Sequence, residues 1–452
     1  MSAPYNTEHL ELPFGTIANK RTSLVFDQPD VSSDGGTILI KQQADKTNLF
    51  ARLASAIRDG RKQAQVVHGL ETLIAQRVTG LCLGYEDAND CTLTRRDFMM
   101  KIACDVDPQG AELGSQPSMS RLENAISKTD CMRLAYALGD AFLESYKGRE
   151  PDMIVIDVDP SAHLTYGDQQ LSLFNTHVDD YCMMPFYVYE GLTGRMITAL
   201  VRPGKTPSGQ EVVALLSRIV AHIRKHFPNT TLVFRADSHH CRREVLDYCE
   251  DQHVEYVIGL SPNAVLGREC QWVKDNVAGV WQQTFRSARR FHTFAYKARK
   301  WQEHRRVICR AQCSAMGKDL RYIVTSFNGA SSKYLYETLY CGRGKAELWI
   351  KESKLDLSSD RSSCTKATAN QFRLLLSVAA YQLLHGLREE ELAETSLARA
   401  TFGRIRLCLL KVAARVEVGK TFIRLHLPEQ FGFREAFARL SAGSRSAFSG
   451  AS

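Results

Sequence analysis

The sequence predicts an α/β fold, and three patterns in its central part support this prediction. Runs rich in β-branched residues alternate with a helical pattern, and acids stand at the ends of two runs. Three meandering strands come first, and a helix, a strand, a second helix and a last strand follow. In order, these elements are residues 153–159, 181–189, 196–201, 212–223, 231–237, a helix that Ser238 can cap, and 256–260. That order is typical of a ribonuclease-H-like core, a mixed sheet flanked by helices.

Residues 1–150 are predicted to form a mostly helical N-terminal domain. Apolar residues recur at helical spacing over residues 48–83, and a further helix is expected at 134–146. Between them, Ser115–Leu122 is a polar turn that enters a helix and exposes Arg121. Two interpretations are open: half of a helix-turn-helix that binds DNA ends, or an ordinary turn of a helical domain.

Residues 265–318 are predicted to be an inserted all-β subdomain with a basic surface. Strand-like runs include 282–285 and 305–309, and nine basic residues between Arg286 and Arg310 accompany a single acid, Glu303. Basic side chains that contact phosphate, next to rings that stack on nucleobases, indicate a nucleic-acid surface. The alternative is a solvated hairpin with ordinary aromatic packing. The candidate DNA contacts here are Arg299, Lys300, Trp281 and Trp301.

Four polar residues share one face of a helix predicted at 340–354. They are Tyr340, Arg343, Glu347 and Lys354, separated by three, four and seven residues. A site that holds a metal ion and an anionic backbone needs this mixture of an acid, two bases and a phenol. The alternative is a solvated face with helix ion pairs. The residues expected to enter the core are Leu348, Trp349 and Leu355.

Acids at strand ends form a second candidate constellation. Asp157 and Asp159 alternate on the first strand and therefore point to the same side, and Asp237 ends the fourth strand. These strand ends lie near each other in the predicted fold, and Glu347 arrives later on the helix. Phosphoryl transfer with two metal ions needs carboxylates that converge from several elements. Each acid taken singly also fits a capping or turn role.

Composition limits the class of protein. The formal charge of +8 and the pI of about 8.8 permit a polyanionic partner. Thirteen scattered cysteines indicate no disulfide framework, and no second ligand pair completes a zinc site with Cys309 and Cys313. With no signal peptide and no apolar stretch long enough for a bilayer, the chain is expected to be soluble and intracellular. Glycine-rich nucleotide-binding motifs are absent from the sequence.

Several short motifs resemble those of one known family. The most specific is the Tyr-x2-Arg-x3-Glu-x6-Lys spacing that starts at Tyr340. Other motifs that resemble the family are Ser32–Gly36, Gly84–Asp90, Ser115–Asn124, Asp157–Asp159, Gly167–Gln170, Asn175–His177, Arg202–Gly204, Arg235–Ser238 and Ile350–Cys364. The sequence thus resembles a bacterial insertion-sequence transposase of the DDE class, in the insertion-sequence thirteen-eighty family of the insertion-sequence-four-like superfamily.

One departure concerns the first acid. The family usually has Asp-x-Thr there, and this chain has Asp159-Pro160-Ser161. The change leaves open whether Asp157 or Asp159 is the metal ligand. Asp159 is preferred because it stands at the strand end, just before the hydroxyl residue.

The resemblance implies cut-and-paste transposition by Mg²⁺-dependent strand cleavage and strand transfer. Asp159, Asp237 and Glu347 would hold two Mg²⁺ ions, with Mn²⁺ as an alternative. Arg343 and Lys354 would hold the phosphate of the cut strand, and Tyr340 would donate to it or stack beside it. Two other functions are open: a related nuclease that only cuts, and a non-catalytic DNA-binding descendant.

The resemblance also implies partners and a location. The partners are double-stranded DNA, as the element's terminal inverted repeats and the target, and a second copy of the chain in a homodimer on DNA. No membrane partner is expected, and the location is the bacterial cytoplasm, at the nucleoid when DNA is bound. Superfamily members often form a DNA hairpin with a base flipped onto an aromatic ring, for which Trp281 and Trp301 are candidates. The alternative is that both rings belong to a core.

The predicted regions complete this description. They are 1–150, the two core parts 151–264 and 319–390, the insertion 265–318, and a basic C-terminal region at 391–452.

Overall fold

The computed structural model describes residues 11–438. Residues 1–10 and 439–452, which belong to the first and last predicted regions, lie outside the described residues. No helix within residues 11–438 has both the length and the apolar character that crossing a membrane requires.

Short strands and seven α-helices make up the described N-terminal part. They are β1 (Glu11–Ile17), β2 (Lys20–Val25), β3 (Val31–Ser32), α1 (Thr37–Lys46), α2 (Leu49–Ser55), α3 (Leu70–Leu83), α4 (Asp90–Thr94), α5 (Phe98–Ala103), α6 (Gln116–Ala125) and α7 (Lys128–Glu144). Helix α3 is buried from Leu73 to Leu83. Helix α7 begins at a capping box, in which Ser127 and Asp130 each accept from the other's backbone N–H.

The central sheet is mixed. Its first part and the neighbouring helices comprise, in chain order, β4 (Met153–Pro160), β5 (His163–Leu164), β6 (Leu173–Asn175), β7 (Asp180–Met183), β8 (Phe186–Glu190), β9 (Met196–Leu200), α8 (Gly209–His226), β10 (Thr231–Ala236), α9 (Arg243–Asp251) and β11 (Glu255–Leu260). Of these, β5, β6 and β7 form a separate small sheet. Five strands lie in the order β9-β8-β4-β10-β11. Strands β4, β10 and β11 are parallel to one another, and β8 pairs antiparallel with both β4 and β9. The predicted α/β class with a mixed sheet is confirmed. The strand predicted at 181–189 is in fact two, separated at Met184 and Pro185, because proline cannot donate to a ladder.

Residues 265–318 differ from the all-β insertion that the sequence predicted. They include α10 (Ala264–Glu269) and α11 (Gln271–Thr284), followed by β12 (Ala288–Tyr296), β13 (Arg305–Ser314) and β14 (Gly317–Thr325). The strand predicted at 282–285 is wrong, because Val273, Val277 and Ala278 form a helix face that packs on β13. Strand β14 pairs antiparallel with β11, so β12–β14 extend the central sheet.

The chain then returns to the N-terminal part. A π-helical segment (Tyr334–Tyr340) and a 3₁₀ turn (Cys341–Arg343) lead into α12 (Gly344–Leu357), and α13 (Ala367–Gly386), α14 (Phe402–Ile405), β15 (Ala414–Val418) and β16 (Ile423–His426) follow. Helix α13 lies in a hydrophobic core that also contains residues of α3, α7 and β9. Strand β15 pairs with β3 as well as β16. The N-terminal helices and the central sheet therefore share one core.

Candidate active site

Asp157 lies in the interior, where an arginine of the neighbouring strand balances its charge. The register of β4 and β10 places it beside Arg235, whose Nε and Nη2 lie 2.6 and 2.5 Å from its two carboxylate oxygens. Both side chains are 1% exposed. Arg235 also donates to the carbonyl oxygens of Leu339 and Gly191. The two charges thus form a structural ion pair that holds β4, β10 and the segment before α12 together.

Asp159 lies two residues further along β4, where the strand reaches a cleft. Its side chain is 16% exposed, and Nη1 of Arg343 donates to its Oδ2 at 2.9 Å. Burial raises the pKa of Asp159 to about 6; the charge of Arg343 opposes this shift, and the charge of Asp237 adds to it. Asp159 is therefore a poorly solvated carboxylate whose negative charge is balanced by one guanidinium.

Asp237 follows directly after β10, the strand next to β4. Because parallel strands end at the same edge of a sheet, Asp237 and Asp159 line one cleft. Asp237 accepts hydrogen bonds from Nδ1 of His239 at 3.0 Å and from Nδ1 of His240 at 2.9 Å. Burial opposes its ionisation, but the hydrogen bonds from His240 and His239 outweigh burial and lower the pKa of Asp237. The carboxylate is ionised and already oriented.

Glu347 reaches the same cleft from α12. Its side chain is 69% exposed, and its Oε1 lies 3.7 Å from Nη2 of Arg343. The cleft, with a volume of about 490 Å³, is lined by Asp159, Pro160, Ser161, Asp237, Arg343, Glu347, Ile350, Lys351, Lys354, Leu355 and Asp360. The fold thus brings together the three predicted acids and two of the predicted basic residues.

The segment 340–354 is not the single regular helix that the sequence predicted. Tyr340 ends the π-helical segment, Arg343 ends the 3₁₀ turn, and Glu347 and Lys354 lie on α12. The expectation that Leu348 and Leu355 enter the core is wrong: they are 66% and 70% exposed. The buried face of α12 is instead formed by Ala346, Ile350, Ser353 and Leu357. Trp349 is partly buried and packs against Tyr189.

Lys354 lines the cleft, whereas Tyr340 is not among the lining residues and lies against Gly259. A Cβ on Gly259 would lie 2.6 Å from the Tyr340 hydroxyl and 2.9 Å from the backbone nitrogen of Ser238, so only glycine leaves room there. Burial raises the pKa of Tyr340, so its phenol stays protonated. Lys354 donates from Nζ to the carbonyl of Ala162 at 2.6 Å, and burial lowers its pKa.

The donor set of the cleft suits a hard divalent cation. Asp159, Asp237 and Glu347 offer carboxylate oxygens, which Mg²⁺ and Mn²⁺ prefer. Their oxygens are not among the groups of the described chain whose ligand atoms lie within 4.8 Å of one another. The guanidinium of Arg343 instead lies against Asp159, in the position of a cation beside a poorly solvated carboxylate. The three acids therefore suit a metal ion by their chemistry, but their oxygens are spread apart and Arg343 contacts one of them.

Sequence reasoning missed several residues of this site. His239, His240 and Asp360 are the clearest cases, and Lys351 adds a base on α12. His240 is fully buried and packs near the rings of Phe186 and Phe234. The only available signal was the pair of histidines that directly follows the strand-end acid and Ser238.

The predicted basic surface of the insertion divides into two groups. Some of its bases have partners inside the protein: Arg289 pairs with Glu337, Arg305 with Asp247 and Glu250, Arg306 with backbone carbonyls, and Arg310 with Asp319. Arg305 is only 3% exposed at its side chain. Arg299 and Lys300 are exposed in the loop between β12 and β13. The prediction that the whole run faces DNA is wrong for Arg305.

The two candidate tryptophans occupy different environments. Trp301 is 6% exposed, with the guanidinium of Arg305 over its ring at 5.1 Å and the ring of Tyr296 at 5.7 Å. This environment is that of a core residue. Trp281 is partly buried at the end of α11, edge-on to Phe285. Trp281 is therefore the more accessible of the two.

Arg121 lies on α6 and is exposed, and its Nη2 donates to Ser118. Helix α5 ends at Ala103 and α6 begins at Gln116. The connection before α6 is much longer than the roughly three- to four-residue turn of a helix-turn-helix. DNA binding by Arg121 remains a prediction.

One family model matches nearly the whole chain. The family described as "Transposase DDE domain group 1" matches residues 14–445. No curated protein matches the sequence. Among solved structures, a piggyBac transposase synaptic complex with hairpin DNA has 11% identity and a TM-score of 0.45, covering 83% of this chain and 79% of that chain. The Mos1 mariner paired end complex with Mn has 12% identity and a TM-score of 0.18, covering 44% and 61%. Scores this low carry no argument about this chain by themselves.

Proposed function

The chain belongs to the transposase DDE domain group 1 family, and from this premise we propose that it cuts and joins DNA at the terminal inverted repeats of an insertion sequence. The finer family assignment, to the insertion-sequence thirteen-eighty family, is part of this proposal. It is supported by the positions of Arg343, Glu347 and Lys354, which line one cleft with Asp159 and Asp237.

The catalytic core is proposed to be ribonuclease-H-like. The strand order β9-β8-β4-β10-β11, with β4, β10 and β11 parallel, supports this proposal. Helix α8 leads from β9 into β10, and α9 connects the parallel strands β10 and β11. In such a sheet the first acid comes from the end of β4 and the second from the end of β10, as Asp159 and Asp237 do.

Asp159, Asp237 and Glu347 are the proposed holders of two divalent metal ions, with Mg²⁺ expected and Mn²⁺ as an alternative. When bound, such ions activate the attacking water or 3′-hydroxyl and stabilise the leaving oxygen. His239 and His240 keep the Asp237 carboxylate ionised and oriented. Asp157 is not proposed as a ligand, because Arg235 contacts both of its oxygens.

Arg343 is proposed to change partner during the reaction. In this structure it pairs with Asp159 and approaches Glu347. If bound cations balanced those acids, its guanidinium would be free to bind the phosphate of the cut strand with two hydrogen bonds. Lys354 and Lys351 lie in the same cleft and would add positive charge along the backbone. Tyr340 would donate to the phosphate or stack beside it.

Double-stranded DNA is the proposed partner, first as the terminal repeats and then as the target, with a homodimer in the DNA complex. The exposed Arg299 and Lys300 support a phosphate-contacting surface. The observation that carries the whole proposal is the convergence of three acids from β4, β10 and α12 with Arg343 in one cleft.

A cleavage assay tests the proposal. DNA that carries the element's own ends is incubated with protein and Mg²⁺, and strand products are resolved on a denaturing gel. We expect Asp237→Asn and Glu347→Gln to abolish cleavage and to retain binding of the ends, because each removes a metal ligand but few DNA contacts. Matched controls are Asp251→Asn and Glu269→Gln, which change exposed acids of α9 and α10. Wild-type cleavage by Asp237→Asn or Glu347→Gln would remove that residue from the site.

A further inference from the structure

Two histidines and one acid form a cluster between α7 and α8 that the proposed function does not use. His222 and His226 are about one turn apart on α8, and Asp140 lies on α7. One potential ligand atom of each lies within 4.8 Å of the other two. Across residues 11–438, this is the one group of three His, Cys, Asp or Glu side chains that meets this condition.

A glycine lets α7 come close to this cluster. A Cβ on Gly139 would lie 3.2 Å from Cδ2 and 3.3 Å from Nε2 of His222, a tight contact for a side chain. The ring of Tyr136 lies 5.1 Å from the His222 ring. The imidazole of His222 is therefore held against α7, with its Nε2 beside Asp140.

His226 directs its Nε2 toward the cluster. Its Nδ1 lies 3.1 Å from the backbone carbonyl oxygen of His222. A carbonyl oxygen only accepts, so Nδ1 donates to it and Nε2 is the ring nitrogen left for a metal ion. Donation from the second ring nitrogen to a backbone carbonyl is the usual outer contact of a metal-ligating histidine.

His222 has a short but poorly directed contact with Asp140. Its Nε2 lies 2.9 Å from Oδ1 of Asp140, yet this buried nitrogen makes no hydrogen bond of acceptable geometry. Burial lowers the pKa of His222 and the charge of Asp140 opposes this shift, so the ring is neutral at pH 7. The two atoms are close enough together to bind the same ion.

We propose that Asp140, His222 and His226 bind a divalent transition-metal ion, with Zn²⁺ as the expected species. Two imidazoles and one carboxylate suit zinc, whereas Mg²⁺ prefers oxygen ligands alone. Asp140 and His226 are 36% and 39% exposed, so an ion and a completing water can reach them. The ion would join α7 of the N-terminal part to α8 of the core and hold the two parts together.

The charges around the cluster moderate the expected affinity. Arg52, Arg218 and Lys225 border the same depression, and so does Glu144. Arg52 is paired with Glu144, which leaves Arg218 and Lys225 to oppose a cation. The two imidazoles and the Asp140 carboxylate must therefore provide the binding, and imidazole ligands favour zinc over harder ions.

Zinc content of the full-length protein tests this site. Protein is dialysed against ZnCl₂ in an excess of MgCl₂, and bound zinc is measured by elemental analysis. The Mg²⁺ is present to bind the carboxylates of the candidate active site, so that zinc is not counted there. We expect about one zinc ion per chain and a higher melting temperature than in MgCl₂ alone. Absence of bound zinc in the wild-type protein would overturn the proposal.

Matched histidine variants locate the ion. His226→Gln should weaken zinc binding by more than the roughly 10–100-fold that loss of an outer contact costs, with an unchanged circular dichroism spectrum. His304→Gln removes an exposed histidine outside the cluster and should bind zinc as the wild type does. Equal zinc binding by these two variants would refute the assignment. His226 is partly exposed, so its replacement tests the site even if His222→Gln fails to fold.

Discussion

Arg235 on β10 and Asp157 on β4 form a buried ion pair with two short contacts, of 2.6 and 2.5 Å. Asp157 and Asp159 point to the same side of β4, but only Asp157 lies within the register with β10, where it faces Arg235. Asp157 meets a buried arginine of the sheet, while Asp159 meets Arg343 at the cleft. The pair thereby supports Asp159 as the first acid of the proposed site.

The first prediction separates these two acids. Asp157→Asn leaves the Arg235 charge buried without its partner, which costs about 3–5 kcal/mol of stability. We expect a lower melting temperature with measurable cleavage by the folded fraction. Asp159→Asn should keep the wild-type melting temperature within a few degrees and lose cleavage. Denaturation curves and the cleavage assay, run on both variants, check this; the reverse pattern would make Asp157 the ligand.

The second prediction concerns pH. The pKa of Asp159 is about 6 in the folded protein, above the value of about 3.9 in an unfolded chain. Between these values the folded state holds a proton that the unfolded state has released, so this contribution to stability is present at low pH. It is lost as the pH rises through about 6.

Chemical denaturation of metal-free protein at several pH values measures this effect. Wild-type stability should fall relative to Asp159→Asn between about pH 4 and pH 6. Arg343→Ala should move the upper end of this window to higher pH, because Arg343 opposes the upward shift of the Asp159 pKa. A stability difference that stays constant over the window would contradict both expectations.

The third prediction concerns phosphate contacts in the loop between β12 and β13. Removal of Arg299 or Lys300 should lower the slope of log affinity against log salt by about one, and weaken binding to all sequences alike. Arg306→Ala is the control. Its guanidinium donates to the carbonyls of Phe327 and Ala330, so its loss should lower stability and leave the slope unchanged. A changed preference among end sequences with an unchanged slope would identify Arg299 and Lys300 as base readers.

The fourth prediction separates the two tryptophans. Trp301→Ala empties a buried site and should cost about 3–5 kcal/mol, lowering nicking and hairpin formation together. Trp281→Ala should spare nicking and reduce hairpin closure if a flipped base stacks on its ring. A denaturing gel that resolves both products, with a melting curve, checks each variant. Uncoupling of the two steps by Trp301→Ala at an unchanged melting temperature would contradict its assignment to the core.

Several errors of the sequence analysis have a common cause. Residues 282–285 read as a strand, but α11 continues to Thr284 because its apolar face packs on β13. Leu348 and Leu355 were expected inside, but α12 packs through the face that carries Ala346, Ile350 and Leu357, and both leucines are exposed. In each case a local pattern had two solutions, and the neighbouring elements selected one.

By itself the sequence determined the α/β class, the order of most central strands and helices, and the closeness of an acid of the first strand, Asp157 or Asp159, to Asp237. Those features follow from local periodicity and from the rule that parallel strands end at one edge. Only the tertiary structure decided that Arg235 pairs with Asp157, that Trp301 is buried, and that Asp140 meets His222 and His226. Such contacts join residues far apart in the chain, so they depend on strand register and helix packing, which the order of residues along a single element does not specify.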